Sequence, residues 1–260
     1  MNKKYNILVS NDDGIDAEGL HKLVHELKKI ANVYVSAPHR QQSAVGHSIS
    51  IYYPLRAFQY KKEGKIYGWA VEGTPADAVK LGVLFLYKNI KFDLVVSGIN
   101  NGANTALNLI YSGTVSAATE GTILEIPSIA VSLLNSPNPD FKTPAQLSAK
   151  IISQLLTSKT SKLDSKTLLN INFPPIPKSK IKGIIITSQG KSNWMDTFEV
   201  RSDPNGRDYY WLTGKMNILD KTDDTDVIAL RKDYISITPL QYDLTDHKKM
   251  KEMIKWNLKI

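Results

Sequence analysis

Up to about residue 183, apolar residues occur in two alternating spacings along this chain. Tyr5 to Ser10 is a short apolar run that ends in Asn11-Asp12-Asp13-Gly14, as a buried strand does when it stops at a polar loop. From Leu20 through Leu23, Val24, Leu27 and Ile30 the spacing becomes helical, with Lys22, Lys28 and Lys29 on the watered side. Asp16 is placed to cap that helix. Val33 to Ala37 is the next strand, closed by Pro38. Strand, helix and strand in so short a stretch form a βαβ unit, which predicts a parallel sheet.

The rhythm continues. Thr74-Pro75-Ala76-Asp77 opens a helix, with Thr74 as cap, Pro75 at the first helical position and Asp77 in the first turn. Its apolar positions run on through Val79, Val83 and Leu86. Phe92 to Gly98 is a strand that runs into Ile99-Asn100-Asn101-Gly102. Thr114 to Leu124 is a helix of small residues, Ile129 to Val131 a strand, and Thr143-Pro144 the start of a helix with Leu147, Ile151, Ile152 and Leu155. Leu168 to Phe173 is a strand stopped by Pro174 and Pro175. Beyond that the texture changes. Ile184–Thr187, Tyr209–Thr213 and Tyr234–Thr238 are predicted strands separated by polar stretches, and a helix runs from about Asp246 to Leu258. The fold expected is α/β: a Rossmann-like, mostly parallel sheet with helices on both faces, plus a β-rich C-terminal extension and terminal helix. Residues 1–183 are expected to form one Rossmann-like domain, and residues 184–260 an arm and tail helix that either covers the sheet or reaches a second subunit.

Composition narrows the chemistry. The chain has 260 residues, no cysteine, and a net charge of +8. Disulfides, thiolate zinc sites and a Cys nucleophile are therefore excluded, and the charge favours anionic partners. The longest apolar run, Leu81 to Tyr87, is far shorter than the ~20 residues a spanning helix needs. Lys3 and Lys4 are followed only by Ile7-Leu8-Val9 before Asp12, which is no signal-peptide core. The expectation is a cytoplasmic protein with no membrane partner.

Open parallel sheets bind ligands beyond the carboxyl ends of their strands. Two strands end there in unusual loops, Asn11-Asp12-Asp13-Gly14 and Ser97-Gly98-Ile99-Asn100-Asn101-Gly102. Adjacent carboxylates repel, so both ionise readily only beside a cation, and oxygen ligands suit Mg²⁺ or Mn²⁺. Asp and Gly also favour plain turns. The loop after the second strand, His39 to Ser48, is polar and lies at the same edge. Ser43 can add a hydroxyl ligand, and Arg40 can meet a phosphate. His39 and His47 are candidates for acid–base work, or simple hydrogen-bond donors. Tyr111-Ser112-Gly113-Thr114 opens a helix whose free N–H groups suit an anion, though an ordinary cap reads the same way. Neither a P-loop, since Ile185 stands where its first Gly is required, nor a GxGxxG, HExxH or GxSxG motif is present.

Taken together, Ile7-Leu8-Val9-Ser10-Asn11-Asp12-Asp13-Gly14, Ala37-Pro38 through Ser43 and Gly46-His47-Ser48 resemble the SurE family of 5′/3′-nucleotidases. So do Gly73-Thr74-Pro75-Ala76-Asp77, Val96-Ser97-Gly98-Ile99-Asn100, Tyr111-Ser112-Gly113-Thr114-Val115, Thr225-Asp226 and Ser236-Ile237-Thr238-Pro239-Leu240. The resemblance implies a phosphatase hydrolysing nucleoside 5′-monophosphates, with 3′-monophosphates and short polyphosphate as further substrates. It implies one divalent cation per subunit, Mg²⁺ or Mn²⁺, held by Asp12, Asp13, Ser43 and Asn100. Asp12 and Asp13 are the expected catalytic residues, as general base or as nucleophile. Phosphate is expected at Asn104, Ser112, Gly113 and Thr114. A homodimer or homotetramer assembled through the C-terminal extension is also implied. This chain departs at Ala106, Leu107 and Asn108, where the family carries a Gly and acidic residues. That stretch bears on loop geometry and substrate preference. A phosphoaspartyl phosphatase would need an Asp at position 14, which is Gly14. A non-catalytic nucleotide- or nucleic-acid-binding module would explain the charge but not two carboxylates beside a phosphate site, so no specific nucleic acid is expected.

Overall fold

The structure is a computed structural model and describes residues 4–158 and 163–259. Among these residues, nine strands form one sheet. In chain order they are β1 (Asn6–Ser10), β2 (Asn32–Pro38), β3 (Arg56–Lys62), β4 (Lys65–Glu72), β5 (Leu94–Asn101), β6 (Ser128–Leu133), β7 (Leu168–Phe173), β8 (Ile184–Ile186) and, after a separate hairpin of β9 (Asn193–Ser202) and β10 (Asp208–Asn217), β11 (Ile235–Leu240). Their spatial order is β3-β4-β2-β1-β5-β6-β7-β11-β8. From β4 to β7 every pairing is parallel, while β3 on β4 and β11 on β7 run antiparallel.

Helices α1 (Glu18–Leu27), α2 (Pro75–Leu81), α4 (Gly113–Ile123) and α5 (Lys142–Thr157) cover the two faces, and the short α3 (Asn108–Tyr111) precedes α4. Period-two alternation assigns the sides. Ile7, Val9, Val96 and Val131 pack with Leu20, Leu23 and Leu27 of α1 and Ala145 and Ile152 of α5. Leu8 and Val95 point the other way, onto Val79 of α2 and Ala117 of α4, and Ala130 onto Val115 and Ala118. The mostly parallel sheet with helices on both faces is the expected architecture.

Several details differ from the sequence expectation. Ala17, not Asp16, stands at the start of α1 and makes no side-chain cap. The Asp16 carboxylate instead accepts a hydrogen bond from Tyr60 of β3. Long-range pairing wins there because the β3–β4 hairpin, which simple apolar spacing does not announce, lies against the helix start. Thr74 does cap α2, in a reciprocal box: its hydroxyl accepts from Asp77 N at 3.1 Å and its own N–H donates to Asp77 Oδ2 at 2.9 Å. The helix then widens into a π-type turn over Gly82–Leu86. After residue 183, β8 and β11 still belong to the main sheet, and α6 (Asp226–Arg231) packs against β11. The β9–β10 hairpin and α7 (His247–Ile254) lie outside that sheet. Among the described residues no helix is long and apolar enough to cross a membrane.

Candidate active site

β1 is flanked by β2 on one side and β5 on the other. The chain order reverses between β1 and β5, which makes this pair the switch point where the loops at the carboxyl ends diverge and leave a crevice. β1 ends at Ser10 opposite Ser97 of β5. The Asp12-Asp13 loop and the Asn100-Asn101 loop therefore emerge side by side. Asn101 N donates to Asp13 Oδ2 at 3.3 Å across the gap. Gly14, at φ +96°, turns the first loop away toward α1 in a conformation that favours glycine, and its Cα faces the Arg40 backbone too closely for a side chain to fit without a shift.

The β2 loop closes one side. Gln42 N donates to the Asp12 carbonyl at 2.7 Å, and Gln41 Nε2 donates to Ser43 Oγ at 2.9 Å, which brings the Ser43 hydroxyl to the carboxylates' side. The opposite wall is α3 and the start of α4. Ser112 caps α4 by accepting from Val115 N at 3.1 Å. Asp12 sits directly against this start: Thr114 donates its hydroxyl to Asp12 Oδ1, and a Cβ on Gly113 would lie 2.7 Å from Asp12 Cβ and 2.9 Å from Oδ2. Only glycine lets the helix approach the carboxylate so closely.

The result is a cleft of about 230 Å³ lined by Asp12, Asp13, Ser43, Asn100, Asn104 and Ser112, with Gln41, Asn101, Asn108 and Tyr111 around them. The structure thus gathers all four predicted cation ligands and two of the predicted phosphate residues. Thr114 is fully buried beneath, with its hydroxyl committed to Asp12. Gly113 lies between Ser112 and Thr114 against Asp12. Asn104 is held hard: its N–H donates to Asn172 Oδ1 at 2.8 Å, its Nδ2 to Ser132 Oγ at 2.8 Å, and its carbonyl accepts from Asn170 Nδ2 at 2.7 Å. The two histidines and Arg40 stand elsewhere. His39 packs edge-on to Phe58, and His47 Nε2 bonds Glu120 Oε2 at 2.9 Å. Arg40 lines a separate depression with Ser50 and Glu72.

Electrostatically the cleft lacks positive charge. Burial raises the Asp12 carboxyl to about 6 against the help of Thr114, and the neighbouring Asp13 adds to the rise. Burial raises Asp13 too, opposed by the Asn101 N–H. Among the described residues neither carboxylate forms an ion pair, and no lysine or arginine lines the cleft. The same residues hold no cluster of three or more His, Asp or Glu side chains arranged for a metal, so any cation here would be held by two carboxylates and neutral oxygens. Asn100 fits that role: its Nδ2 donates to Gly102 O at 2.7 Å, which leaves the amide oxygen as its free end.

The contacts of two further carboxylates emerge only from the fold. Glu120 of α4 is buried between Lys80 of α2, at 2.6 Å, and His47. Asp226, fully buried at the start of α6, accepts from Ala106 N at 3.0 Å, Gly190 N at 2.9 Å and Val227 N at 2.8 Å. Thr225-Asp226 is visible as a motif in the sequence, but Gly190 and Ala106 are 36 and 120 residues away from Asp226.

Comparison with known proteins gives a consistent picture. The sequence model of the family described as Survival protein SurE matches residues 7–196. A protein named 5′-nucleotidase SurE from Chlorobium phaeobacteroides is 43% identical over 99% of this chain and 98% of its own length. Its namesake from Pelotomaculum thermopropionicum is 47% identical, over 96% and 94%. The crystal structure of the SurE protein from Aquifex aeolicus superposes with a TM-score of 0.83 at 37% identity, over 96% of this chain and 99% of that one.

Proposed function

The chain belongs to the SurE family, and from that premise we propose that it is a 5′-nucleotidase that depends on a divalent cation, Mg²⁺ or Mn²⁺, one per subunit. The observation that carries this reading is the meeting of a buried carboxylate, Asp12, and a half-buried one, Asp13, neither in an ion pair among the described residues, with the start of α4 in one cleft at the β1–β5 switch point. Phosphate and carboxylate repel each other in such a place unless a cation lies between them. The donor set suits one: carboxylate oxygens from Asp12 and Asp13, the Ser43 hydroxyl and the Asn100 amide oxygen are the hard ligands that Mg²⁺ and Mn²⁺ prefer. When bound there, the cation supplies Lewis-acid charge to the phosphoryl oxygens and acidifies water.

The chain's own residues do the rest. Asn104 and Ser112, with the Gly113 and Thr114 backbone at the positive end of α4, bind and orient the phosphoryl group. The hydrogen bonds around Asn104 and Asp12 hold these groups in place before substrate arrives, so little reorganisation is needed when charge builds on the phosphoryl oxygens. Water attacks phosphorus, the bond to the nucleoside O5′ breaks, and the nucleoside leaves with a proton. Asp12 and Asp13 are the carboxylates within reach of the attacking water's proton. A 3′-monophosphate or a short polyphosphate presents the same phosphoryl group. We place the subunit contacts of a homodimer or homotetramer on β9–β10 and α7, whose Met195, Phe198, Trp211, Ile254 and Trp256 are exposed in the single chain. The test of function is phosphate release from a panel of nucleoside 5′- and 3′-monophosphates and tripolyphosphate with Mg²⁺, with Mn²⁺, and with EDTA. Turnover of 5′-monophosphates that needs the cation supports the reading. Equal turnover in EDTA, or none with either cation, contradicts it.

A further inference from the structure

Ala106 stands between Asn104 and Asn108, which both line the phosphate cleft. It is fully buried, and its backbone is left-handed at φ +49°. That conformation is disfavoured about tenfold for a residue with a Cβ, and Ala has no polar side chain to support it locally. Glu63 and Glu125 adopt the same region at exposed turns. Ala106 is instead held there by two side chains that arrive from the C-terminal part of the chain.

Asp226 Oδ2 accepts from Ala106 N at 3.0 Å, and Gln189 Nε2 donates to Ala106 O at 2.9 Å. Side chains thus take the two backbone groups that a neighbouring strand would otherwise pair. The segments that carry these side chains are fixed to each other. Asp226 N donates to Ser188 O at 3.0 Å, and Asp226 Oδ1 accepts from Gly190 N at 2.9 Å and from Val227 N at 2.8 Å. A Cβ on Gly190 would lie 2.8 Å from Asp226 Oδ1, so only glycine lets that segment close on the carboxylate. Asn104, two residues before Ala106, has its own backbone held by Asn170 and Asn172 of β7. The turn from Asn104 into α3 is therefore gripped twice, by β7 at Asn104 and by the C-terminal segment at Ala106.

We propose that Asp226, with Gln189, is a positioning residue for this turn: it keeps Ala106 left-handed and so keeps Asn104 in the pose that meets the phosphoryl group. Asp226 does not line the cleft and acts only through Ala106. The inference rests on the phosphatase reading above and deepens it, because it gives the C-terminal segment a part in phosphate binding as well as in subunit contact.

The test is the inhibition constant of inorganic phosphate against AMP turnover, with the Mn²⁺ concentration for half-maximal rate measured beside it. Asp226→Asn keeps Oδ1 for Gly190 and Val227 and turns amide hydrogens toward Ala106 N. Once released, Ala106 is left-handed about a tenth of the time, and apparent affinity falls with the competent fraction. The phosphate constant and KM for AMP then rise about tenfold, while the Mn²⁺ requirement stays put because the proposed cation ligands sit on other loops. Gln189 is exposed, and Gln189→Ala, which removes one of the two bonds, raises the phosphate constant about threefold. Glycine takes the left-handed conformation about as readily as the right-handed one. In an Ala106→Gly background, Asp226→Asn therefore raises the constant only about twofold. That rescue separates positioning from plain loss of structure, which Ala106→Gly would not repair. A phosphate constant near the wild-type value in both Asp226→Asn and Gln189→Ala overturns the inference, as does an equal rise with and without Ala106→Gly. If Asp226→Asn does not fold, Gln189→Ala in the two backgrounds decides by the same contrast. Wild-type protein inactive on AMP with Mg²⁺ and with Mn²⁺ overturns the phosphatase reading, and the inference falls with it. An active wild type with unmoved variants overturns the inference alone.

Discussion

β5 and β9 are both rich in apolar side chains, and they meet opposite fates. β5 has a strand on each side and helices over both faces, and its residues from Leu94 to Ile99 are buried. Among the described residues β9 has only β10 beside it, and Trp194, Met195, Phe198 and Val200 remain exposed. A strand pair on its own is marginally stable in water, so β9–β10 depends on its anchored base and on whatever covers its outer reach. The site follows the same division. Its charged floor grows from the buried strands β1 and β5, where position is fixed by the core. The cavity beside it is walled by the hairpin, where position is fixed by a few hydrogen-bonded carboxylates.

That contrast can be broken experimentally, beginning at the floor. Asp12→Asn removes a proposed cation ligand and a candidate base at once. Phosphate release from AMP falls by about 10³-fold or more, while the thermal unfolding midpoint moves little because no ion pair is lost. A near-normal rate would remove Asp12 from the chemistry. In stability, Ile129→Ala in β6, a fully buried position, costs about 3 kcal/mol. Val200→Ala in β9 stays within about 0.5 kcal/mol in the isolated chain. Urea unfolding of the two variants checks the pair, and similar losses would dissolve the distinction. Gly113→Ala forces a Cβ against Asp12, and a displacement on the ångström scale there costs about 10²-fold in kcat. Retained kcat would mean the close approach is incidental.

The smallest effect lies in Glu120. Burial alone would raise its carboxyl, but His47 and Lys80 outweigh that and hold it below its ordinary 4.5. A lowered value means that the native state favours the charged form. Its stabilisation is full above about 4.5 and is lost as the pH falls through the native value. Glu120→Gln therefore costs about 1 kcal/mol at pH 7, since both partners are partly exposed to solvent. The gap to wild type closes as the pH drops below 4.5. Thermal unfolding at pH 7 and pH 4 measures it, and a constant gap would contradict this assignment.

The core of the sheet is legible in the sequence because its strands are short, buried and flanked by amphipathic helices. Ile7 to Val9, Val95-Val96 and Ile129 to Val131 lie where spacing alone puts them. The β3–β4 hairpin and β9 are not legible, because their alternating aromatic and charged residues are half exposed and look like polar loop. Asp16 misleads because capping is a local rule, and its carboxylate is taken by Tyr60 from 44 residues away. At the site, Asp12, Asp13 and Ser43 can be named from the sequence as candidate ligands since their loops share one sheet edge, while Asn100 is named as a ligand by the family resemblance. The commitment of the Thr114 hydroxyl to Asp12, and the bridge made by Asp226, depend on packing that no single stretch encodes.

The central claim is that one divalent cation joins the β1 and β5 loops. A crystal of the protein grown in MnCl₂ and measured at the manganese edge tests it most directly. The account predicts one anomalous peak per chain, about 2.1 Å from oxygens of Asp12, Asp13 and Asn100, that disappears in Asp12→Asn. A cleft with no peak, or manganese held only by residues outside it, contradicts the account.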